Sequence, residues 1–214
     1  MTHIKICGIK TLPHAIAAIE AGADLLGFNF YPKSVRFIDA IECSKITLSI
    51  KEKYPNIKLV GVFVNSPIEQ ILTTLETCSL DFAQLHGDEP LELCATLGDK
   101  AFKAFRGISH TTPYHDYAKF RDGQSPAFLV DASVQGVYGG SGMTADWGAA
   151  ALLAGKYDFL LAGGLTPENV AEAVRQVQPW GVDVASGVES SAGEKDAGKI
   201  KAFVENIKGL GIGA

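Results

Sequence analysis

Short apolar runs rich in β-branched residues recur along the chain roughly every twenty-five residues, and the segments between them carry the three-to-four-residue periodicity of amphipathic helices. Eight such runs stand out: His3–Cys7, Asp24–Phe28, Lys58–Phe63, Phe82–Leu85, Ala101–Phe105, Ala127–Val130, Phe159–Ala162 and Gly181–Val184. Several are apolar throughout, as strands covered on both faces should be. The intervening pattern predicts helices over Leu12–Ala21, Ile41–Lys53, Ile68–Glu76, Leu91–Leu97, Trp147–Leu153, Pro167–Val177 and Asp196–Ile207, with the weakest signal over Tyr114–Phe120. Thr166-Pro167-Glu168-Asn169 reads as N-cap, first-turn proline and acidic first turn. Eight strands alternating with helices predict an α/β fold, a single-domain (β/α)8 TIM barrel over residues 1–214, in preference to an open doubly wound sheet.

Composition narrows the partners. The 214 residues are 47% hydrophobic and 20% charged, enough to bury a core unaided by metal or disulfide. A net charge of −5 and a pI near 5.5, without a dense basic run, argue against a nucleic-acid surface. The cysteines at 7, 43, 78 and 94 have no CxxC spacing, and reduced thiols in the cytoplasm fit them. No apolar run approaches the roughly 18 residues of a spanning helix, and the chain opens on a strand where an export signal would lie, so no membrane association is expected.

In a barrel of this kind the active site lies at the carboxyl ends of the strands, and the chemically distinctive residues fall there. Cys7-Gly8 ends the first run, Ser34 and Arg36 follow the second, and His86-Gly87-Asp88 follows the fourth. Asp131 ends the sixth, Gly163-Gly164 the seventh and Ser186-Gly187 the eighth. The glycines of Gly139-Gly140-Ser141-Gly142, Gly163-Gly164 and Ser186-Gly187 let backbone N–H groups approach an anion, so Gly140, Ser141, Gly142, Gly163, Gly164, Ser186 and Gly187 form a candidate phosphate site. Each pair taken alone equally suits a tight strand-to-helix turn.

Cys7 is a candidate general base whose pKa a polar mouth could lower toward neutrality, or a small buried filler. Asp131 ends an apolar run where desolvation could keep it protonated as a general acid, or it caps the next turn. Arg36 offers a planar fork for a ligand carboxylate, or lies solvated on its loop. His86 either orients a ligand or satisfies a backbone carbonyl, and alternation leaves Asp183 facing either the barrel interior or a helix. No Ser/His/acid triad, HxH, HExxH or carboxylate cluster points to nucleophilic or metal chemistry, so no metal or cofactor is expected.

From Lys5 to Phe203 the chain resembles the phosphoribosylanthranilate isomerases. The likeness rests on Lys5-Ile6-Cys7-Gly8, Gly27-Phe28-Asn29-Phe30 with Ser34 and Arg36, Gly61-Val62-Phe63-Val64-Asn65 and Gln84-Leu85-His86-Gly87-Asp88-Glu89. It continues through Asp131, the GGSG loop, Asp146-Trp147, Leu161-Ala162-Gly163-Gly164-Leu165 and Asp183-Val184-Ala185-Ser186-Gly187-Val188-Glu189. The resemblance implies a cofactor-free Amadori rearrangement in tryptophan biosynthesis, with Cys7 as base and Asp131 as acid. It also implies Arg36 on the anthranilate carboxylate, the late glycine loops on the phosphate, and His86 and Asp183 near the substrate. Two positions depart from the family pattern: Val35 where a proline is common, and Met143 where a lysine is frequent. A small phosphorylated substrate and a monomer or homodimer are expected. Rival readings are another phosphosugar barrel, which needs a metal or a Schiff-base lysine, and a catalytically silent barrel that only binds. No interior strand-end lysine stands out for the first of these.

Overall fold

A computed structural model describes residues 2–109, 111–119, 125–132 and 146–211. Eight strands, β1 (His3–Cys7), β2 (Leu25–Asn29), β3 (Lys58–Phe63), β4 (Phe82–Leu85), β5 (Ala101–Arg106), β6 (Phe128–Asp131), β7 (Phe159–Ala162) and β8 (Gly181–Val184), form a closed barrel in chain order. Every neighbouring pair is parallel, including β8 with β1. Between and after them run α1 (Leu12–Ala21), α2 (Ala40–Lys53), α3 (Ile68–Thr77), α4 (Leu91–Leu97), α5 (Tyr114–Ala118), α6 (Trp147–Ala154), α7 (Val170–Val177) and α8 (Ala197–Lys208). Among the described residues, no helix is long and apolar enough to cross a membrane.

The differences from the sequence reading sit at element ends, where hydrogen-bonding side chains decide. Asp24 stays below β2 because its carboxylate accepts the Ile4 N–H at 2.8 Å. Strand β5 runs one residue longer than the apolar pattern suggests and β6 is shifted one residue on, which aligns Arg106 with Asp131 in register at the mouth. Helix α7 starts at Val170 and not at Pro167, because the Asn169 side chain accepts the Thr166 N–H at 2.8 Å and closes a separate turn first. Helix α5 is five residues long, and Phe120 lies outside the described residues. Asp39, Asp146 and Asp196 cap α2, α6 and α8 by accepting first-turn N–H groups.

One element had no counterpart in the apolar pattern. After a short 3-10 turn at Ser186–Val188, the chain makes a small antiparallel ribbon, β9 (Glu189–Ser191) and β10 (Glu194–Lys195), reversing at Gly193.

Strand alternation divides the core. Outward residues such as Ile4, Ile6, Phe28, Phe128, Val130, Phe159 and Val182 pack against the buried faces of the helices, among them Ala15 and Ala18 of α1 and Ile200, Phe203 and Val204 of α8. Inward residues Leu25, Val60, Phe102, Ala104, Leu129, Leu160 and Ala162 form a second apolar cluster inside the barrel. Full burial of each large side chain contributes about 1.5–3 kcal/mol. Several of the remaining inward positions are polar. They include Lys5 and Cys7 on β1, Gln84 on β4 and Asp183 on β8, of which Cys7, Gln84 and Asp183 line the mouth.

Candidate active site

A cavity of about 390 Å³ opens at the carboxyl ends of the strands. Cys7, Arg36, His86, Asp131, Asp183, Gly163, Gly164 and Ser186 all line it, so one mouth gathers residues spread over 180 positions of sequence. Gly187 stands behind this lining. A Cβ there would collide with the carbonyl oxygen of Leu165, so its role is to let the loops after β7 and β8 touch. Gly163 and Gly164 both have positive φ, 100° and 65°, and the turn itself therefore requires glycine-like backbone at the edge of the cavity. Gly140, Ser141, Gly142 and the neighbouring Met143 lie outside the described residues.

Cys7 is the last residue of β1 and 8% exposed. Its register partner on β2 is Gly27, where a Cβ would come within 2.8 Å of the Cys7 sulfur and 3.1 Å of the Lys5 ammonium. Gly27 thus leaves a notch that both side chains fill. The surroundings of the Cys7 thiol pull its pKa in both directions. Burial pushes the Cys7 thiol up, and although the charges of Lys5 and Lys195 pull it down, the nearby Asp183 opposes them and the thiol stays above its ordinary value.

Asp183 faces the interior, which settles the ambiguity of its strand position. Its register partner across β1–β8 is Lys5, and the two form a 2.7 Å ion pair with Lys5 fully buried. Burial opposes the charge on Lys5, but Asp183 outweighs it and the ammonium is held above its usual pKa. One interior lysine therefore lies in the middle of β1, away from the strand end. It is a fixed cation, and a protonated amine is no nucleophile for a Schiff base. The pattern His3, Lys5, Cys7 against Ile4 and Ile6 carried the signal: outward positions must be apolar to meet helices, so the polar face points inward.

Arg36 is neither solvated nor wholly available. Its Nε and Nη2 donate to the two carboxylate oxygens of Glu189, each at 2.7 Å, leaving Nη1 and the second Nη2 hydrogen for a ligand. A ligand carboxylate meeting the whole fork in this arrangement would have to displace Glu189. Burial would raise the Glu189 carboxyl, but hydrogen bonds from Arg36, Lys195 and the Gly193 N–H hold it down at about 2. The ribbon β9–β10 exists to this effect, since it carries both Glu189 and Lys195 to the mouth. The Val35 departure leaves the loop well tied, with Ser34 Oγ accepting the Arg36 N–H at 3.1 Å and Asn29 O accepting from Ile38.

His86 follows β4, and the Gln84 amide donates to its Nδ1 at 2.8 Å, placing the proton of the neutral ring on Nε2. Burial lowers the His86 pKa, so the ring is neutral at physiological pH. Asp131, half-buried, closes β6 beside Arg106, which also lines the cavity. Besides Lys5, Glu189 and Lys195, the sequence reading passed over Asn29, Gln84 and Arg106 at this mouth, all inward by alternation on strands whose apolar residues drew the attention.

A packed barrel floor under a polar, open mouth makes this protein a β/α barrel of the kind that binds ligands at the strands' carboxyl ends. The family model described as N-(5'-phosphoribosyl)anthranilate isomerase matches residues 4–206. A relative of that name from Geotalea daltonii is 44% identical over 97% of each chain. Among solved structures, the phosphoribosyl anthranilate isomerase of Thermotoga maritima is 40% identical, covers 98% of this chain and all of its own, and superposes with a TM-score of 0.83. Another phosphoribosyl anthranilate isomerase structure, 37% identical with 98% and 100% coverage and a TM-score of 0.80, contains reduced 1-(O-carboxyphenylamino)-1-deoxyribulose 5-phosphate. The chain belongs to the N-(5'-phosphoribosyl)anthranilate isomerase family.

Proposed function

We propose that this one-domain barrel converts N-(5'-phosphoribosyl)anthranilate to 1-(o-carboxyphenylamino)-1-deoxyribulose 5-phosphate in tryptophan biosynthesis, with Asp131 as general acid and Cys7 as general base. The observation that carries the reading is the placement of a thiol on β1 and a carboxyl on β6 around one 390 Å³ cavity, in a chain of this family. Asp131 protonates the furanose ring oxygen, opening the ring to a Schiff base whose cationic nitrogen acidifies the C2′ proton. Cys7, as thiolate, takes that proton, and the resulting enolamine relaxes to the aminoketone. One proton returns from Cys7 to Asp131 through solvent to reset the pair, so the steps balance without a metal or organic cofactor.

The remaining lining residues supply binding. The Gly163-Gly164 and Ser186 loops face the phosphate, and the unengaged N–H groups of Arg36 face the anthranilate carboxylate. Neutral His86 donates from Nε2 toward the sugar, and Asp183 sits on the floor beneath it.

Cys7→Ala and Asp131→Asn, assayed by the fluorescence change of an anthranilate-derived substrate, should each lower kcat about 10²–10⁴-fold while a phosphorylated product analogue still binds. Near-native turnover in either variant removes that residue from its role. Arg36→Ala should raise KM more for the carboxylate-bearing substrate than for a decarboxylated analogue. Equal effects on the two would remove the carboxylate contact.

A further inference from the structure

The least expected group in the barrel is Lys5. Its side chain is wholly buried, and its ion pair with Asp183 bridges two strands that are already hydrogen-bonded neighbours. Burying two charges costs several kcal/mol of desolvation per ion, and well-packed apolar residues commonly serve as well or better for stability. A pair that staples nothing distant therefore calls for a chemical explanation. Lys5 and Cys7 lie on the same inward face of β1, two residues apart, and both reach the notch left by Gly27. The ammonium and the sulfur both border the space a Gly27 Cβ would fill, close enough for the ammonium to act on the sulfur through charge. The other charged groups facing that sulfur are Asp183 from β8, Lys195 from β10 and Arg36 from the loop after β2. Arg36 and Lys195 are already committed to Glu189, which leaves Lys5 as the cation shared between the thiol and one carboxylate.

We propose that Lys5 is a positioning residue whose ammonium serves as counter-ion to the Cys7 thiolate during proton abstraction, with Asp183 drawing on the same ammonium and so setting the strength of the base. The proposal rests on the assignment of Cys7 as base. Lys5 neither gives nor takes a proton. The proton removed from C2′ moves to sulfur, and the lysine offsets the negative charge there before the transfer. Asp183 opposes it by moderating the positive potential at the sulfur.

The test is the pH dependence of Cys7 alkylation by iodoacetamide in the full-length protein, read peptide by peptide by mass spectrometry. Opposite signs are expected from the two partners. Lys5→Met should move the midpoint up by about 1–3 pH units, Asp183→Asn should move it down, and Lys5→Arg should keep it near the native value. The acid limb of the kcat profile should move with the midpoint in Lys5→Met, whereas a merely structural loss lowers the plateau and leaves the limb in place. An unmoved midpoint in Lys5→Met, or a raised one in Asp183→Asn, overturns the proposal. If Lys5→Met does not fold, Asp183→Asn decides by its sign. Failure of the underlying base assignment is separately visible, since it appears as retained turnover in Cys7→Ala whatever the alkylation shows.

Discussion

Two buried lysines on barrel strands, each paired with a carboxylate, do different jobs. Lys103 on β5 sits between inward Phe102 and Ala104, so it faces the helix layer, where its ammonium meets Glu89 at 2.6 Å and the carbonyl oxygens of Gly87 at 2.6 Å and Leu85 at 3.5 Å. Glu89 in turn accepts the backbone N–H groups of Asn65 and Gly87. These bonds tie the loop after β4 to β5 and to the loop after β3, and together they fix the segment that carries His86. Lys5 on β1 faces inward and has for company one carboxylate and a thiol, both of which line the cavity. The same chemistry is a staple on one side of the sheet and an electrostatic device on the other, and the parity of a strand position decides which.

Removing each charge should separate the two roles. Lys103→Met leaves Glu89 buried without its cation and should cost about 3–5 kcal/mol of stability in urea unfolding. A loss under about 1 kcal/mol would mean that the staple is dispensable. Glu189→Gln tests a third cluster, at the mouth. The Glu189 carboxyl titrates at about 2 in the folded protein against 4.5 unperturbed, so it contributes stability that is fully present above pH 4.5 and is lost as pH falls toward 2. The variant should lose on the order of 2 kcal/mol at neutral pH after solvent screening, and its stability should vary less between pH 4.5 and 2 than the native protein's. Acid unfolding curves of parallel slope would contradict this.

Smaller effects sharpen the contrast. Replacing Lys5 by Met and Asp183 by Leu together should leave the barrel as stable as before or about 1–4 kcal/mol more stable, while turnover is lost. A marked destabilisation would make the inner pair a staple after all. The smallest effect is on His86, whose ring should titrate in an NMR experiment below the ordinary histidine value, because burial disfavours its cation. A midpoint at or above that value would place the ring in water.

The division between what was legible in the sequence and what was not follows the range of the forces involved. Strand and helix periodicities are local, and they identified all eight βα units, the closed barrel and the strand ends that carry Cys7, His86 and Asp131. Side-chain capping is also local, yet Asn169 competes with Thr166 on near-equal terms, and only the folded backbone shows which closes the turn. Arg36 read as a free fork because the nearest acid in sequence, Asp39, caps α2, while its partner Glu189 lies 153 residues on, at the foot of a ribbon too short to leave a pattern. Lys5 was hidden for the same reason. Its partner Asp183 is 178 residues away, and only closure of β8 onto β1 brings them to 2.7 Å.

What the amino-acid order determined by itself is therefore the list of elements and the end of the barrel at which chemistry gathers, since alternation and helix periodicity are properties of neighbouring residues. What the tertiary structure alone decided is which charges meet there and how strongly burial sets each pKa. Those depend on register across a closed sheet and on the water it excludes, and neither is present until the last strand pairs with the first.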